Sequence, residues 1–213
     1  MNEALAIIIG YLLGSIPAAY IITRLIKGGD IRKMGGGNVG GLNVFREVGP
    51  WPAVAVGLVD FGKGAAAVAI AKWGLNAPEA YVLLAGLAAV IGHNWMVWLR
   101  FSGGKGMGAA IGALIVLLPL YNLSLQLGIF AAIIIVPLIL TRNVALSMFL
   151  GLIALPIIVW FSTKSEYATI ISAALLLVIV VKFLPTAIVA SRKRGLAAFG
   201  VDRWQRRKGR AKD

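Results

Sequence analysis

The chain alternates between long apolar runs and shorter segments that are rich in glycine and charge. Runs of the length that crosses a bilayer, about 17–25 residues, occupy residues 4–26, 51–73, 78–99, 144–161 and 167–190. A further run, residues 106–140, carries no charge and is about twice as long as one span. This pattern predicts membrane-spanning α-helices along most of the chain.

The long run is predicted to turn at residues 119–122, because the proline and asparagine there favour a turn. Dividing it gives about seven transmembrane helices. Composition agrees, since 60% of the residues are hydrophobic and 14% are charged, against about 45–50% and ~25% in a soluble domain. We therefore predict an all-α, polytopic membrane protein.

Positive charge is distributed unevenly among the links and predicts the orientation in the membrane. Cations fall in every second link and in the tail, at Arg32, Lys33, Arg46, Arg100, Lys105, Arg142, Arg192, Lys193 and Arg194, and in a cluster at 203–212. The other links contain one cation, Lys164. By the positive-inside rule, the N-terminus is predicted outside and the glycine-rich loops and tail in the cytoplasm. The expected location is the inner or plasma membrane, with residues 1–190 as the membrane domain and 191–213 as a basic tail.

Composition also excludes several kinds of chemistry. The chain has no cysteine and one histidine, His93, so thiol catalysis and a histidine-rich metal site are excluded and no metal is predicted. The first run lacks the basic start of a cleaved signal, so we expect it to be retained as a span. The net charge of +13 lies in links and tail without an aromatic-basic platform, so nucleic acid is not a predicted partner.

The first glycine-rich segment has the composition of an anion-binding loop. Five glycines fall within the seven residues 35–41, and they let the backbone present successive N–H groups to an anion. Two arginines flank the segment and can bind phosphate in bidentate fashion. A flexible loop is the alternative interpretation. The predicted site residues here are Arg32, Gly37, Asn38, Gly40, Asn43 and Arg46.

The second glycine-rich segment opens a helix and resembles a phosphate cradle. Gly103, Gly104, Lys105 and Gly106 combine backbone donors, a lysine and the positive end of a helix dipole. It is not a Walker A loop, because the spacing differs and no Ser or Thr follows the lysine. His93 precedes it and is either part of the site or a structural histidine. Both segments are predicted on one side of the membrane, where we expect them to converge.

Two charged residues lie inside a predicted span. Asp60 and Lys63 are three residues apart and therefore share a helix face. An ion pair in a span is costly unless it lines a polar site, which makes Lys63 a candidate; an interfacial position is the alternative. Arg142 is a further candidate near a predicted span end.

Taken together, these motifs resemble one family in order and spacing. They are Gly14-Ser15-Ile16-Pro17, Asp30-Ile31-Arg32, the run from Gly35 to Asn43, Arg46, Asp60-x-x-Lys63-Gly64, Gly92-His93-Asn94, Phe101-x-Gly103-Gly104-Lys105-Gly106 and Thr141-Arg142. The chain is similar, over residues 11–147, to the bacterial acyl-phosphate-dependent glycerol-3-phosphate acyltransferases.

The resemblance implies a seven-span fold and an activity in phospholipid synthesis. A fatty acyl group would pass from acyl phosphate to glycerol 3-phosphate and give lysophosphatidic acid, without metal or coenzyme A. Arg46, Asn38 and His93 would be catalytic, and the other candidates would bind phosphate. The acyl phosphate is expected to assist its own attack, because its leaving phosphate can accept the proton.

The chain departs from the family pattern at several positions. The family usually has Ser at Gly36, Thr at Leu42 and Ser at or near Ala145, and a C-terminal motif of His, Asn and Glu. No His, Asn or Glu follows Lys182 here.

The residues leave two alternatives open. One is a related membrane enzyme with another phosphorylated acceptor or donor. The other is a transport or non-catalytic membrane protein, which would place polar groups near the bilayer midplane. Only Asp60 and Lys63 would suit that second alternative.

Overall fold

The computed structural model describes residues 2–194, with side chains as far as residue 185. Within this part of the chain the fold is helical, and its one β-bridge joins Met96 to Ser102. The helices are α1 (Asn2–Gly14), α2 (Ala18–Lys27), α3 (Gly41–Glu47), α4 (Pro50–Ala69), α5 (Glu79–Asn94), α6 (Met107–Leu120), α7 (Ser124–Thr141), α8 (Val144–Thr163) and α9 (Glu166–Arg194). The predicted all-α fold is confirmed.

Five segments are long and apolar enough to cross a membrane, judged by length and composition. They are Asn2–Lys27, Pro50–Gly74, Ser124–Thr141, Val144–Thr163 and Glu166–Pro185. Two apolar helices, α5 and α6, are shorter. The turn predicted at residues 119–122 is confirmed, since α6 ends at Leu120 and α7 begins at Ser124. The count of seven spans stays a prediction.

The first apolar run, residues 4–26, was predicted to be one span, and the structure divides the helix of this span into two parts. Helix α1 ends at Gly14 and α2 begins at Ala18. Pro17 lacks an N–H and disfavours helical geometry at the residue before it, so the helix breaks at this point. The break lies inside the bundle, because Ser15 is fully buried.

The expected span 78–99 is also shorter as a helix. Helix α5 ends at Asn94, and the chain continues through a 3₁₀ turn, Val97–Leu99, into the second glycine-rich segment. Helix α4 continues beyond Ala69 through a π turn, Ile70–Gly74. That extension brings the segment close to the predicted length of 51–73.

Small residues bring the central helices into close contact. On α1, a Cβ at Gly10 or at Gly14 would collide with the backbone of Ala85 or Ala89 on α5. On α4 and α6, Gly64 and Gly112 allow the same close approach. Packing through small residues is typical of helices in membranes, where backbone proximity supplies van der Waals energy that the lipid environment does not.

Opposite ends of the bundle carry different segments. At one end, Asn2 Nδ2 donates to Leu75 O over 3.2 Å and Tyr167 Oη donates to Ala80 O over 3.4 Å. The chain direction therefore places the start of α6 and the ends of α2, α5 and α9 at the other end. Both glycine-rich segments lie at that second end.

Candidate functional site

The two glycine-rich segments meet, as the sequence predicts. Arg32 Nη1 donates to Leu99 O over 3.3 Å, which joins the first loop to the turn before the second segment. A Cβ at Gly104 would lie 2.6 Å from Val39 O. Arg46 is close enough to Lys105 for its charge to act on the lysine. The expected convergence is confirmed, and it produces a cationic surface at one end of the bundle.

Arg32 is held by an acidic neighbour. Its Nη2 lies 2.7 Å from Asp30 Oδ2, and its Nε lies 3.0 Å from each of the two carboxylate oxygens. Asp30 also accepts from the backbone N–H of Arg32 over 2.9 Å and so caps the 3₁₀ turn Ile31–Lys33. The hydrogen bond from the Arg32 side chain holds the pKa of Asp30 below its ordinary value. The carboxylate thus orients the guanidinium and offsets part of its charge.

Asn43 holds the first loop together from inside. Its Nδ2 lies 3.3 Å from Ile31 O, 3.1 Å from Met34 O and 3.0 Å from Asn38 O. Its Oδ1 accepts from Gly36 N over 3.2 Å. The side chain is buried, and these contacts engage both ends of the amide. In this geometry Asn43 holds the first loop in shape through contacts with its backbone.

Positive φ angles bend the first loop at two glycines. Gly35 has φ +54° and Gly37 has φ +70°, in the left-handed region that favours glycine. Gly36, between them, has no such angle, and a Cβ there would meet nothing within 4 Å. The loop is therefore kinked on either side of an open position.

The backbone donors of the first loop divide into two groups. Those of Gly36, Gly37 and Gly40 are used inside the loop, by Asn43 Oδ1, Met34 O and Asn38 O. Those of Asn38 and Gly41 donate to no acceptor in the described part of the chain. Phosphate binding through N–H groups, predicted for Gly37 and Gly40, would therefore use the N–H groups of Asn38 and Gly41 instead.

The second segment is packed tightly against the end of α5. A Cβ at Gly103 would collide with the backbone oxygens of His93 and Asn94, and one at Gly104 would collide with the His93 ring. Gly104 N donates to His93 O over 3.0 Å, so this N–H is not available to a ligand. Gly106 has φ +76° at the start of α6. These glycines are required for the packing of the segment against α5, and their predicted role in phosphate binding stays a prediction.

Lys105 lies beside α9, a contact that sequence reasoning missed. Its Nζ is 4.1 Å from the centroid of the Phe183 ring. Nearby, Lys182 Nζ lies 5.2 Å from the Trp95 ring, and Asn94 Nδ2 donates to Val178 O over 3.4 Å. Burial lowers the pKa of Lys105, and the charge of Arg46 lowers it further. Only the apolar character of α9 was visible in the sequence, because the pairing of distant helices leaves no local pattern.

A buried cluster of charged and polar side chains lies beneath the second segment. Lys63 Nζ is 2.9 Å from Asp60 Oδ1, and His93 Nδ1 is 3.3 Å from the same oxygen. Lys63 Nζ also donates to Ile16 O, in the break between α1 and α2, over 3.2 Å. All three side chains are buried. Lys63 and His93, both predicted site residues, are therefore joined through Asp60.

Arg142 stands apart from the residues above. It follows α7 with φ +52° and is exposed. By chain direction it lies at the same end of the bundle as the two loops. None of the hydrogen bonds or ion pairs described between residues 2 and 185 joins it to them. The part of the chain that the structure describes also contains no group of three His, Cys, Asp or Glu side chains arranged to hold a metal ion.

An apolar cavity of about 530 Å³ lies between α5, α6, α8 and α9. Val90, Leu114, Leu155 and Leu175 are among the side chains that line it, and its rim at the other end of the bundle is polar. Val90 is also the side chain that a Cβ at Gly106 would meet, at 2.6 Å. The cavity thus extends through the bundle toward the second glycine-rich segment.

Comparison with known proteins agrees with the fold and the motifs. Residues 4–189 match the family model described as glycerol-3-phosphate acyltransferase. Glycerol-3-phosphate acyltransferase 1 of Dehalococcoides mccartyi is 52% identical over 180 residues, covering 84% of this chain and 86% of the relative. The glycerol-3-phosphate acyltransferase of Agrobacterium fabrum is 42% identical over 171 residues, covering 79% of each chain.

Solved structures show the same architecture. The crystal structure of PlsY (YgiH), an integral membrane glycerol 3-phosphate acyltransferase, in its glycerol 3-phosphate form superimposes with a TM-score of 0.79. It is 27% identical and the match covers 91% of this chain and 94% of that one. The lysophosphatidic acid form gives a TM-score of 0.77 at 25% identity. Fold and site together define an integral membrane acyltransferase. The chain belongs to the glycerol-3-phosphate acyltransferase family.

Proposed function

We propose that this protein transfers a fatty acyl group from acyl phosphate to the 1-hydroxyl of glycerol 3-phosphate and releases lysophosphatidic acid and inorganic phosphate. The observation that carries the proposal is the convergence of two glycine-rich, cationic loops at one end of an apolar bundle. Two phosphorylated substrates require cations and N–H donors. An acyl chain requires an apolar path next to them. The names of the relatives support the acceptor.

The reaction needs one bond exchange. The oxygen of the 1-hydroxyl forms a bond to the acyl carbonyl carbon, and the bond from that carbon to the phosphate oxygen breaks. The hydroxyl proton passes to the departing phosphate, which is basic enough to take it, so no side chain has to act as the base. This balance requires no metal and no coenzyme A.

We assign roles from position in the converged site. Arg46 and Asn38 line the reacting centre, and Arg32 and Lys105 hold phosphate through charge-assisted hydrogen bonds. Gly37, Gly40, Gly103 and Gly106 keep the two segments in a shape that leaves the N–H groups of Asn38 and Gly41 open to phosphate, while Asn43 shapes the first loop. His93 and Lys63 lie beneath the second glycine-rich segment and support it. Arg142 attracts anionic substrates to this end of the bundle. The support for these roles is the geometry above.

The cavity between α5, α6, α8 and α9 suits the acyl chain. Its inner end reaches Val90, next to Gly106, and its lining there is apolar. Each buried CH₂ of a chain contributes about 0.8 kcal/mol. A chain attached to a carbonyl at the glycine-rich loops would extend from there into the bundle.

The proposed location is the inner or plasma membrane, with the N-terminus outside and both loops facing the cytoplasm. Support comes from the cations at Arg32, Arg46, Arg100 and Lys105, which all fall in the connecting segments at one end of the bundle. The predicted division into residues 1–190 and a basic tail remains part of this proposal. Most of the tail lies outside the described residues, which end at residue 194.

The purified protein tests this proposal directly. Labelled glycerol 3-phosphate is supplied with acyl phosphate in one arm and with acyl-coenzyme A in the other, and labelled lysophosphatidic acid is measured. We expect product only with acyl phosphate, together with one inorganic phosphate per acyl group. Turnover with another phosphorylated acceptor but not with glycerol 3-phosphate would favour the related-enzyme alternative. No turnover with any acceptor would favour the non-catalytic alternative.

A further inference from the structure

The buried cluster of Asp60, Lys63 and His93 links three parts of the molecule that are far apart in sequence. Asp60 Oδ1 is shared, at 2.9 Å from Lys63 Nζ and 3.3 Å from His93 Nδ1. Lys63 reaches the broken first helix through Ile16 O at 3.2 Å. His93 reaches the second glycine-rich segment through its backbone oxygen, which accepts from Gly104 N over 3.0 Å. The cluster therefore forms a chain of close contacts from the helix break to the loop.

At the loop end of the cluster, the His93 ring is packed tightly against the loop backbone. The His93 ring occupies the place where a Cβ at Gly104 would lie, so the ring and the loop backbone are in contact. The same Gly104 position is close to Val39 O of the first loop. A displacement of the His93 ring would therefore push directly on the residue that precedes Lys105.

Stability alone gives little reason for such a cluster in an apolar bundle. Burying an ion pair costs desolvation energy that its mutual attraction repays only in good geometry, and apolar replacements are often neutral or stabilising. Side chains of Asp60 and Lys63 are only 8% and 2% exposed. Ionisable groups kept inside a membrane bundle are by default candidates for a functional role. The second glycine-rich segment covers the cluster. Any functional role of the cluster must therefore act through its contact with the underside of that segment.

We propose that Asp60, Lys63 and His93 are positioning residues that fix the second glycine-rich loop against the broken first helix and so align Lys105 with bound phosphate. The kinetic consequence of this inference rests on the proposed function. Its structural consequence does not, since the loop is held whether or not a substrate is present.

Cysteine labelling measures the structural consequence without enzyme activity. The chain has no cysteine, so single cysteines introduced by Ser102→Cys, beside the loop, and by Ser162→Cys, at the other end of the bundle, react without background. Asp60→Asn removes the shared charge with almost no change of shape. We expect the alkylation rate in membrane vesicles to rise about ten-fold at Ser102→Cys, because the loop opens locally more often, and to stay unchanged at Ser162→Cys.

A second variant covers the case in which Asp60→Asn does not fold. That change leaves the Lys63 ammonium buried without its carboxylate, which is strongly destabilising. Asp60→Asn combined with Lys63→Met removes both charges and avoids the unpaired one. Lys72→Met, which removes a cation from the same helical segment near its opposite end, is the matched control and should leave labelling at both positions unchanged.

The kinetic arm separates positioning from a general structural role. In the Asp60→Asn, Lys63→Met variant, kcat/KM for glycerol 3-phosphate should fall about ten- to a hundred-fold, while thermal unfolding in detergent stays within the range of the wild type. Lys63→Arg, which can still donate to Ile16 O and pair with Asp60, should recover most of the activity.

Two results would overturn the inference. One is unchanged labelling at Ser102→Cys in both cluster variants. The other is an equal rise at Ser102→Cys and Ser162→Cys, which would show that the whole bundle had loosened. A wild type without turnover would instead refute the proposed function and leave the labelling result to decide the role of the cluster.

Discussion

Gly36 is the residue at which the first loop has room for a side chain. No atom would lie within 4 Å of a Cβ there, and the backbone has an ordinary φ. Its neighbour Gly35 differs, because a Cβ there would lie 2.5 Å from Asn43 Oδ1 and 2.6 Å from Glu47 Oε1, and φ is +54°. The family pattern usually has a serine hydroxyl at position 36, and this fold can accommodate one.

Restoring the family side chains by Gly36→Ser together with Leu42→Thr should raise kcat/KM for glycerol 3-phosphate. A hydrogen bond to a charged group contributes about 1.5–3 kcal/mol, so each hydroxyl that reaches phosphate could raise the value roughly ten-fold or more. Steady-state kinetics measures the effect. Gly35→Ser is the control and should destabilise the protein. A slower double variant with unchanged unfolding would show that this chain has no such deficit.

The sequence predicted which residues lie at the candidate site, but it did not always predict the contacts that each of them makes. Arg32, Arg46 and Lys105 come together as their charge and position suggested. In the structure Asn43 holds the first loop and Gly104 accommodates the His93 ring, while the phosphate binding predicted for both stays a prediction. Loop-forming and ligand-binding asparagines and glycines have the same sequence pattern, so only three-dimensional contacts separate the two roles.

Helices were predictable where the apolar pattern was long and bounded by polar residues. Helices α8 and α9 start within one residue of the predicted spans, and the turn between α6 and α7 falls at the expected residues. The break after Gly14 was not predicted, although Pro17 was its signal, because the apolar pattern continues across it. The packing of α9 on the second loop was not predictable, since helix pairing is decided by long-range contacts.

The cavity lies between α5, α6, α8 and α9. A substitution on α9 tests the proposal that it holds the acyl chain. Ala168 lines the cavity toward its outer end, so Ala168→Phe should fill the space that the end of a long chain occupies. We expect kcat/KM to fall for a 16-carbon acyl phosphate and to change little for an 8-carbon one, because about 0.8 kcal/mol is lost per displaced CH₂. The measurement is a chain-length series with each variant.

Ala132→Phe, on the exposed face of α7, controls for added bulk at a position outside the cavity. Equal losses for long and short chains in Ala168→Phe would contradict a chain site in this cavity.

At the scale of the whole molecule, polar chemistry is concentrated at one end of an apolar bundle. The two glycine-rich segments, with Arg32, Arg46 and Lys105, and the buried cluster lie there, and the apolar cavity extends toward them through the bundle. This arrangement lets a water-soluble phosphate and a membrane-embedded acyl chain meet at one place.

The central claim is that the converged loops bind the phosphate of glycerol 3-phosphate, and Lys105→Met tests it most directly. This change keeps an unbranched apolar stem and removes the charge, which lies 4.1 Å from the centroid of the Phe183 ring. KM for glycerol 3-phosphate should rise roughly ten- to a hundred-fold, the range of a lost hydrogen bond to a charged group. The kcat value should change little, because a charge on a bound phosphate acts similarly on ground and transition states. Lys72→Met should leave both constants unchanged. An unchanged KM in Lys105→Met, in protein that unfolds like the wild type, would contradict the claim.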